Sequence, residues 1–350
     1  MSALNPLIAS YPLRPVNVIE ILFFALCVYG IILLWSKPRI RALCLLLFFE
    51  ALLMVFNFSE ETGLFKQTIL ITPVFTLCTG PAFYLFVKHL TFNETPWSKV
   101  DFIHFAPASF GLFFTAHSQY VIAAGSLSLL IYGILSYQRI LSYNAAASEM
   151  SSAALDMRIS WLNWIMLVFA LLGLTDLIRL NLQPRLPYEL MNSWYAIHQL
   201  SVFCLYATLI FHALKQPLLF DSLHEYETSL KKPLPDDLDR TIFNQINDQI
   251  ISLALFRKPR LSLHDIALHT GLNIRDVSAA INKGSGVNFC EYINKLRVTE
   301  VKKHLSTHGT EKYSLLEIAI NSGFNSKSSF NAAFKSEVGL TPTQFLSTQG

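Results

Sequence analysis

The sequence predicts an all-α protein with two parts: an N-terminal bundle of about seven transmembrane helices and a C-terminal domain that contains two helix-turn-helix motifs. Two observations lead to this fold class. Residues 1–214 form a series of apolar runs and hold only 21 of the 51 charged residues in the chain. A short pattern then occurs twice near the C-terminus, 52 positions apart. Such a change in composition within one chain indicates a boundary between domains.

Seven apolar runs account for most of the first 214 residues, which also contain all five Trp residues. A helix needs about 20 mainly apolar residues to cross the hydrocarbon core of a bilayer, and a helix of a soluble protein shows polar residues at helical spacing. These runs mostly lack such a polar face, so the sequence predicts seven spans, give or take one. The runs cover residues 18–35, 42–58, 68–87, 102–116, 120–137, 161–178 and 191–214.

Lys and Arg residues in the loops predict the orientation, because cytoplasmic loops carry an excess of them. One set of alternate loops contains seven, namely Lys37, Arg39, Arg41, Lys88, Lys99, Arg139 and Arg158. The opposite set contains four, namely Arg14, Lys66, Arg179 and Arg185. With seven spans, this bias predicts a multi-pass membrane protein with its N-terminus outside and its C-terminus in the cytoplasm.

Four ionisable residues inside the spans are candidates for a ligand pocket, since such groups are costly in a bilayer and often functional. They are Glu20, Glu50, Asp176 and His198. The hypothesis is that a small molecule, an ion or proton, or a lipid binds there and acts on the cytoplasmic domain. For Asp176 we favour a different interpretation, an ion pair with Arg179 three residues later. Hydrogen bonds within the bundle are the alternative for Glu20 and His198.

Residues 215–238 are predicted to be a linker, and the C-terminal domain is predicted to begin at residue 239. Pro233 and Pro235 end any helix that precedes them. A new helix is expected from about Leu238 to Phe256, because apolar residues recur along one of its faces. This helix is expected to cover the first helix-turn-helix motif; a dimer contact is the alternative use.

The repeated pattern has the spacing of a helix-turn-helix motif. The sequence Ser-Leu-His-Asp-Ile-Ala at 262–267 is followed by Gly271, and Ser-Leu-Leu-Glu-Ile-Ala at 314–319 is followed by Gly323. In each copy, the Ser and the acidic residue three positions later predict a capping box at the start of a helix. The Gly, four residues after the Ala, suits a turn that needs positive φ. An apolar residue then follows on each second helix, Val277 and Phe330, so the sequence predicts two such motifs.

A long helix is predicted between the two motifs, from about residue 288 to 306, because Phe289, Tyr292, Ile293 and Leu296 form an apolar stripe. At 1.5 Å per residue it would be about 28 Å long. That length is close to the ~34 Å between successive major grooves on one face of DNA. One rigid helix would then hold two recognition helices in register within a single chain. Thr341 and Pro342 predict the start of a last helix.

The C-terminal 110 residues or so resemble the DNA-binding domain of the AraC/XylS family of transcription regulators. The resemblance implies a seven-helix domain with two recognition helices that binds promoter DNA, and it suggests activation, dimers and contact with RNA polymerase. The whole chain also resembles the membrane-anchored members of this family, which implies a multi-pass protein of the bacterial inner membrane. The matching residues are Ile266-Ala267, Gly271-Leu272, Phe289, Tyr292, Leu296-Arg297, Ile318-Ala319, Gly323-Phe324, Ser329-Phe330, Phe334-Lys335 and Gly339-Leu340-Thr341-Pro342.

The recognition helices are expected at about Ile274–Lys283 and Ser326–Glu337, with polar faces toward the DNA. Their spacing predicts that the opposite faces, with Val277, Ile281, Phe330 and Phe334, pack against the core. The resemblance implies that base edges are contacted by Arg275, Ser278, Lys327, Ser328 and Asn331. Arg suits guanine and Asn suits adenine in the major groove. Two further residues lie later on these helices and are expected to bind phosphate: Lys283 and Lys335. The chain departs from the family at Ala279 and Ala280, where longer polar side chains are common, which moves base recognition toward the second motif.

The sequence indicates no enzyme: no catalytic residue, metal site or cofactor site is predicted. The five Cys residues are scattered and form no C-x-x-C pair, which argues against disulfides and thiolate metal sites. Two other classes of protein remain as alternatives. One is a transporter or integral membrane enzyme with a regulatory tail, and the other is a receptor whose C-terminal domain binds a protein rather than DNA.

Overall fold

The computed structural model describes residues 14–38, 40–62, 71–91, 97–154, 159–215, 240–308 and 313–348. Regular secondary structure in these residues is helical, as the sequence predicts, apart from one isolated antiparallel bridge between Ser151 and Ser262. The predicted linker at 215–238 lies almost wholly outside the described residues. The chain divides into two compact units. The first comprises residues 1–140 and 159–216, and the second comprises residues 141–158 and 217–350.

The first unit is built from long apolar helices. α1 packs against α2, α2 against α3, and α8 against both α1 and α7. Pro15 begins α1, where a proline fits because the first turn needs no backbone N–H donor. The helices are α1 (Pro15–Trp35), α2 (Leu43–Thr62), α3 (Thr72–Thr91), α4 (Lys99–Ile103), α5 (Ala106–Gly111), a 3-10 helix (Leu112–His117), α6 (Ser118–Met150), α7 (Ser160–Leu182) and α8 (Tyr188–Lys215).

Five stretches of helix among the described residues are long and apolar enough to cross a membrane, fewer than the seven that the sequence predicts. They are α1, α2, the stretch from Lys99 to Met150, α7 and α8. The predicted run at 102–116 is broken into helices of five and six residues and a 3-10 turn, and an α-helix of six residues is only about 9 Å long. The run at 68–87 corresponds to α3, whose mean hydropathy is lowered by Lys88, His89 and four Thr residues.

Seven α-helices form the second unit within residues 240–348, the number that the family resemblance implies. α9 packs against α10 and α11, and α12 contacts α11, α13 and α14. The predicted role of α9, to cover the first helix-turn-helix motif, is confirmed. The helices are α9 (Arg240–Ser252), α10 (Leu263–Thr270), α11 (Ile274–Ser285), α12 (Phe289–His308), α13 (Leu315–Asn321), α14 (Lys327–Val338) and α15 (Pro342–Ser347), with a 3-10 helix at Leu255–Arg257.

Both helix-turn-helix motifs begin with the predicted capping boxes. The Ser262 hydroxyl accepts a hydrogen bond from the Asp265 amide, and the Asp265 carboxylate accepts one from the Ser262 amide. Ser314 and Glu317 form the same pair at the start of α13. These contacts satisfy N–H groups that have no partner in the first turn of a helix. Each first helix therefore starts where the sequence places it.

The turns of the two motifs need glycine for different reasons. Gly271 has φ of +71°, and a side chain there would meet open space. Gly323 has φ of +99°, and a Cβ atom there would lie 2.6 Å from the carbonyl oxygen of Phe256 and 2.9 Å from the Cα of Arg257. The first turn therefore requires glycine for its backbone conformation alone. The second also requires it because another segment of backbone passes directly over it.

One stretch that the sequence places between two transmembrane runs belongs to the second unit. The last ten residues of α6 and the turn after it, residues 141–154, are grouped with the helix-turn-helix motifs. Tyr143, Ala147, Met150 and Ala154 are buried at helical spacing along this segment. The amide of Ser152 donates to the carbonyl oxygen of Leu261, just before α10. Residues 141–154 are therefore an integral part of the second unit.

Candidate nucleic-acid interface

The second recognition helix, α14, presents a continuous polar face to solvent. Phe330 and Phe334 are buried in a cluster with Val301, Ile318 and Phe324, as the sequence predicts. Their burial fixes which side of the helix is exposed. Ser326 caps the helix by accepting a hydrogen bond from the amide of Ser329. The four candidate residues of this helix are all exposed: Lys327, Ser328, Asn331 and Lys335. This face offers two cations, a hydroxyl and an amide, the groups that bind phosphates and base edges.

The first recognition helix, α11, differs from the sequence-based expectation at Ser278. Val277 and Ile281 are fully buried, as predicted, Lys283 is exposed and Arg275 is half-buried. Ser278 was expected on the exposed face, but only 4% of it is accessible. That expectation is wrong because residues 141–154 cover this part of the helix, which no local pattern in α11 could indicate.

Glu149 is the side chain that reaches this covered face. Its Oε2 atom lies 2.7 Å from Nδ2 of Asn282 and 3.4 Å from the hydroxyl of Ser278, so it accepts hydrogen bonds from both. Ser278 and Asn282 are four residues apart and therefore lie one turn apart on the same face of α11. A carboxylate thus stands on the surface of the helix where the sequence predicts a base contact.

Arg297 is the centre of a buried polar network in this unit. Its side chain is completely buried, so its role is structural and it does not contact DNA phosphate. Nε donates to the carbonyl oxygen of Phe256 at 2.7 Å. One terminal nitrogen donates to the carbonyl oxygen of Lys258 at 2.9 Å and to the hydroxyl of Ser152 at 3.0 Å. Arg297 therefore joins the loop before α10, the long helix α12 and the segment 141–154.

Electrostatics stabilises the start of the first motif. Burial acts to raise the pKa of Asp265, but hydrogen bonds from Lys258 and from the amide and hydroxyl of Ser262 outweigh it, so the pKa lies below its ordinary value. The Nζ atom of Lys258 lies 2.8 Å from Oδ1 of Asp265. In the second motif, hydrogen bonds from the Ser314 amide and hydroxyl lower the pKa of Glu317. Both acidic caps are therefore charged at neutral pH, which suits their position at helix N-termini.

The four candidate pocket residues of the membrane-like unit lie in different surroundings. Glu50 is buried and accepts hydrogen bonds from the hydroxyls of Tyr206, at 2.7 Å, and Thr79, at 3.3 Å. Nε2 of His198 lies 3.2 Å from the carbonyl oxygen of Leu172. An open groove of about 650 Å³ lies between α7 and α8, but none of the four residues lines it.

Glu20 and Asp176 belong to a polar cluster near the ends of α1, α2, α7 and α8. The Asn17 amide nitrogen lies 3.4 Å from Glu20 and 3.0 Å from Glu61, and the Tyr195 hydroxyl lies 3.3 Å from Glu20. Arg179 pairs with Asp176 at 2.8 Å, as we favoured from the sequence, and its guanidinium lies over the Tyr195 ring. Asn17, Glu61 and Tyr195 are not among the residues predicted from the sequence. Asn17 contacts Glu61, and Tyr195 contacts Glu20, across helices that are far apart in the chain, so no local pattern indicates them.

No group of three or more His, Cys, Asp or Glu side chains suited to a metal ion occurs in the described ranges. Comparison with known proteins gives matches to the helix-turn-helix region. Residues 266–348 match a family model described as a helix-turn-helix domain. The C-terminal part of the chain is a helix-turn-helix domain. The match begins within α10 and ends just after α15, so it includes both recognition helices.

Two curated relatives match the same part of the chain. The HTH-type transcriptional activator AarP of Providencia stuartii is 34% identical over 86 residues, which are 25% of this chain and 62% of that protein. The melibiose operon regulatory protein of Escherichia coli is 33% identical over 85 residues, which are 24% of this chain and 27% of that protein. The chain thus spans less than two thirds of the length of either relative. No solved structure matches it.

Proposed function

We propose that this protein is a membrane-bound transcription regulator of the AraC/XylS type, which binds promoter DNA in a sequence-specific manner from the cytoplasmic side of a bacterial inner membrane. The observation that carries the proposal is the exposed face of α14, with Lys327, Ser328, Asn331 and Lys335 on one side of a helix whose other side is packed in the core. Two relatives that match this part of the chain are named as a transcriptional activator and an operon regulatory protein.

The charge of the domain supports attraction to DNA. From Arg257 to the end of the chain there are 12 Lys and Arg residues against 7 Asp and Glu residues, a net charge of +5. This excess favours a polyanion, and its contribution decreases with salt because counterions are released when phosphates are neutralised. We expect Lys283 and Lys335 to bind phosphate, and Arg275, Lys327, Ser328 and Asn331 to contact bases.

The exposed surface of the first unit supports insertion into a lipid bilayer. Large apolar side chains on the long helices are more than half exposed, among them Ile32, Trp164, Leu171 and Leu174. Soluble proteins rarely leave contiguous apolar surface of this kind in water. An odd number of spans, five as well as seven, leaves the two ends of the chain on opposite sides of the membrane.

The proposed topology also agrees with which segments of the chain make up the second unit. Residues 141–154 follow the apolar part of α6 and precede α7, and the helix-turn-helix domain follows α8. Two spans separate these segments in sequence, so they lie on the same side of the membrane, as members of one compact unit must. At 33 residues, α6 is about 50 Å long, which exceeds the ~30 Å hydrocarbon core and leaves its end free to enter the cytoplasm.

Binding of the full-length chain to duplex DNA tests the DNA-binding part of the proposal. The chain is purified in lipid nanodiscs and used to select sequences from a random duplex library, and affinity for the selected duplex is then measured at several salt concentrations. Lys327→Ala or Asn331→Ala is expected to weaken binding by about 1–3 kcal/mol and to relax preference at one base pair. Lys302→Ala is the control, since it removes one exposed positive charge from α12 and not from a recognition helix. If the chain enriches no sequence, or if Lys327→Ala and Lys302→Ala behave alike, this assignment is wrong.

The same proposal includes the sensing of a signal by the membrane unit. Glu50 is the strongest candidate residue of this unit. It is a buried carboxyl group within a span, hydrogen-bonded to two hydroxyls, and ionisable groups at such positions are costly in free energy and often functional. We propose that a small molecule, ion or lipid acts on this unit, and that a second copy of the chain and RNA polymerase are partners on the promoter. Mapping DNA occupancy in cells with Glu50→Gln tests the sensing role. Occupancy identical to that of the wild type under every growth condition would exclude a role of Glu50 in sensing.

A further inference from the structure

Residues 141–154 cover part of the surface of the first recognition helix, α11. This segment enters from the end of α6 and reaches α11 through Glu149, whose carboxylate accepts hydrogen bonds from Ser278 and Asn282. The contact joins residues 129 and 133 positions apart in sequence. It covers Ser278, which is predicted to contact a base edge.

The chemistry of the contact is opposed to DNA binding. A recognition helix approaches the major groove with donors and cations, because the DNA surface is lined with phosphates and base acceptors. Glu149 places a negative charge on α11 and uses the donors of Ser278 and Asn282. DNA at this position would have to displace the carboxylate, since two acceptors cannot occupy the same donors and the phosphates would repel it. With Glu149 in place, α11 cannot read the groove, whereas the polar face of α14 is exposed.

The segment is anchored beyond this one side chain. The hydroxyl of Ser152 accepts a hydrogen bond from Arg297, its carbonyl oxygen accepts one from the thiol of Cys290 at 3.6 Å, and its amide donates to Leu261. These contacts hold residues 150–154 against the loop before α10 and the start of α12. The anchor keeps the Glu149 carboxylate close to α11 at a high local concentration, so a weak contact suffices to cover the helix.

The contact with α11 leaves one polar atom unsatisfied. Oδ1 of Asn282 is buried and has no hydrogen-bond partner in the part of the chain that the structure describes. A buried acceptor without a partner costs free energy. Release of Glu149 would return both atoms of this amide to water or to DNA, which favours a contact that opens and closes.

We propose that residues 141–154 are an internal inhibitor of the first helix-turn-helix motif, in which Glu149 takes the place of DNA on Ser278 and Asn282. The inference rests on the proposed function of the domain. The closed state binds DNA through α14 alone, and the open state binds through both motifs. Because the same segment is the end of α6, a change in the membrane unit that withdraws it would convert a short DNA site into a long one. The apparent affinity for the long site is set by the fraction of open molecules.

Glu149→Gln in the full-length chain in lipid nanodiscs tests this mechanism. The substitution keeps the shape of the side chain but removes the negative charge that accepts hydrogen bonds from Ser278 and Asn282 of α11. We expect affinity for a duplex selected from a random library to increase about tenfold. We also expect the DNase footprint to extend by about one helical turn, since α11 then enters a second groove. Glu291→Gln, which removes an exposed carboxylate at the start of α12, is the matched control and should change affinity by less than about twofold.

A chemical cross-link tests the closed state independently of the charge. Glu149→Cys and Asn282→Cys are combined in a chain whose exposed native thiol is removed by Cys204→Ser, and the pair is bridged with a short reducible linker. The bridged protein should protect only the short site, and reduction should restore the long one.

The outcomes separate this inference from the proposed function. If the wild type binds DNA in a manner sensitive to Lys327→Ala but Glu149→Gln neither tightens binding nor lengthens the footprint, the inhibitor is excluded and the regulator stands. Equal footprints for the bridged and reduced proteins would also exclude it. If no variant binds any duplex at low salt, both proposals fail together.

Discussion

The two turn glycines predict unequal costs for the same substitution, and the structure allows the difference to be worked out. An alanine at positive φ costs about 1–2 kcal/mol, because its Cβ atom crowds the backbone. At Gly271 this is the whole effect, since the new methyl group would meet open space. We therefore expect Gly271→Ala to lower the free energy of unfolding of the second unit by about 1–2 kcal/mol.

Gly323→Ala adds a steric clash to the same conformational cost. The methyl group would lie 2.6 Å from the carbonyl oxygen of Phe256 and 2.9 Å from Nε of Arg297. These two atoms are hydrogen-bonded to each other at 2.7 Å, so neither can move without breaking that bond. Overpacking of this kind costs about 1–3 kcal/mol, and the total is about 2–5 kcal/mol. Gly323→Ala should therefore destabilise the unit by clearly more than Gly271→Ala.

Pulse proteolysis of the full-length chain in detergent micelles, across a urea titration, measures the unfolding of the second unit. Because all five Trp residues lie in residues 1–214, Trp fluorescence reports on the other unit and serves as an internal control. The urea midpoint of fluorescence should not change in either variant. If Gly271→Ala is as destabilising as Gly323→Ala, the close approach of the 256–257 backbone does not exist in solution.

Two further predictions concern polar contacts of the second unit. Arg297→Lys retains the charge but can make only some of the four hydrogen bonds of the buried guanidinium, so we expect a loss of about 3 kcal/mol in the same proteolysis assay. Lys295→Ala, on the same helix as Arg297, breaks a partly exposed ion pair with Glu337 of α14 and should cost less than about 1 kcal/mol. Equal losses in the two variants would contradict the contribution of the buried Arg297 hydrogen bonds. Asp265 has a folded-state pKa below its ordinary value of 3.8, so its charge contributes stability above that pH, and the contribution is lost as the pH falls through the folded-state pKa. The wild type should therefore lose stability between about pH 5 and pH 3 more steeply than Asp265→Asn, as measured by urea midpoints at each pH, and parallel pH profiles would refute the contribution of this cap.

The sequence predicts the elements of the second unit closely because their signals are local. Capping boxes, turn glycines and the spacing of Phe330 and Phe334 each depend on residues within four positions of one another. The two recognition helices accordingly begin within one residue, and end within two, of their predicted bounds. The family resemblance rests on the same local patterns, and the match to a helix-turn-helix model covers the same residues.

The predictions that depended on hydrophobicity alone were less accurate. An apolar run indicates that a segment is buried or lies in a membrane, but not whether it forms one continuous helix. The run at 102–116 therefore gave no indication that this segment is divided into short helices. The sequence identifies each ionisable residue only within its own span. The structure groups Glu20 with Glu61 and Tyr195, and Glu50 with Thr79 and Tyr206, through contacts between different helices.

The sequence by itself determined where the helices of the DNA-binding unit start and stop, which of their faces are buried and which polar residues α14 presents. Only the tertiary structure decided that Ser278 is covered, that Arg297 is a structural residue, and that residues 141–154 belong with the recognition helices. The physical reason is the range of the interactions. Helix caps and helical periodicity act within a turn or two, whereas the side-chain contacts of Glu149 and Ser152 join residues 129 to 145 positions apart, which only folding brings together.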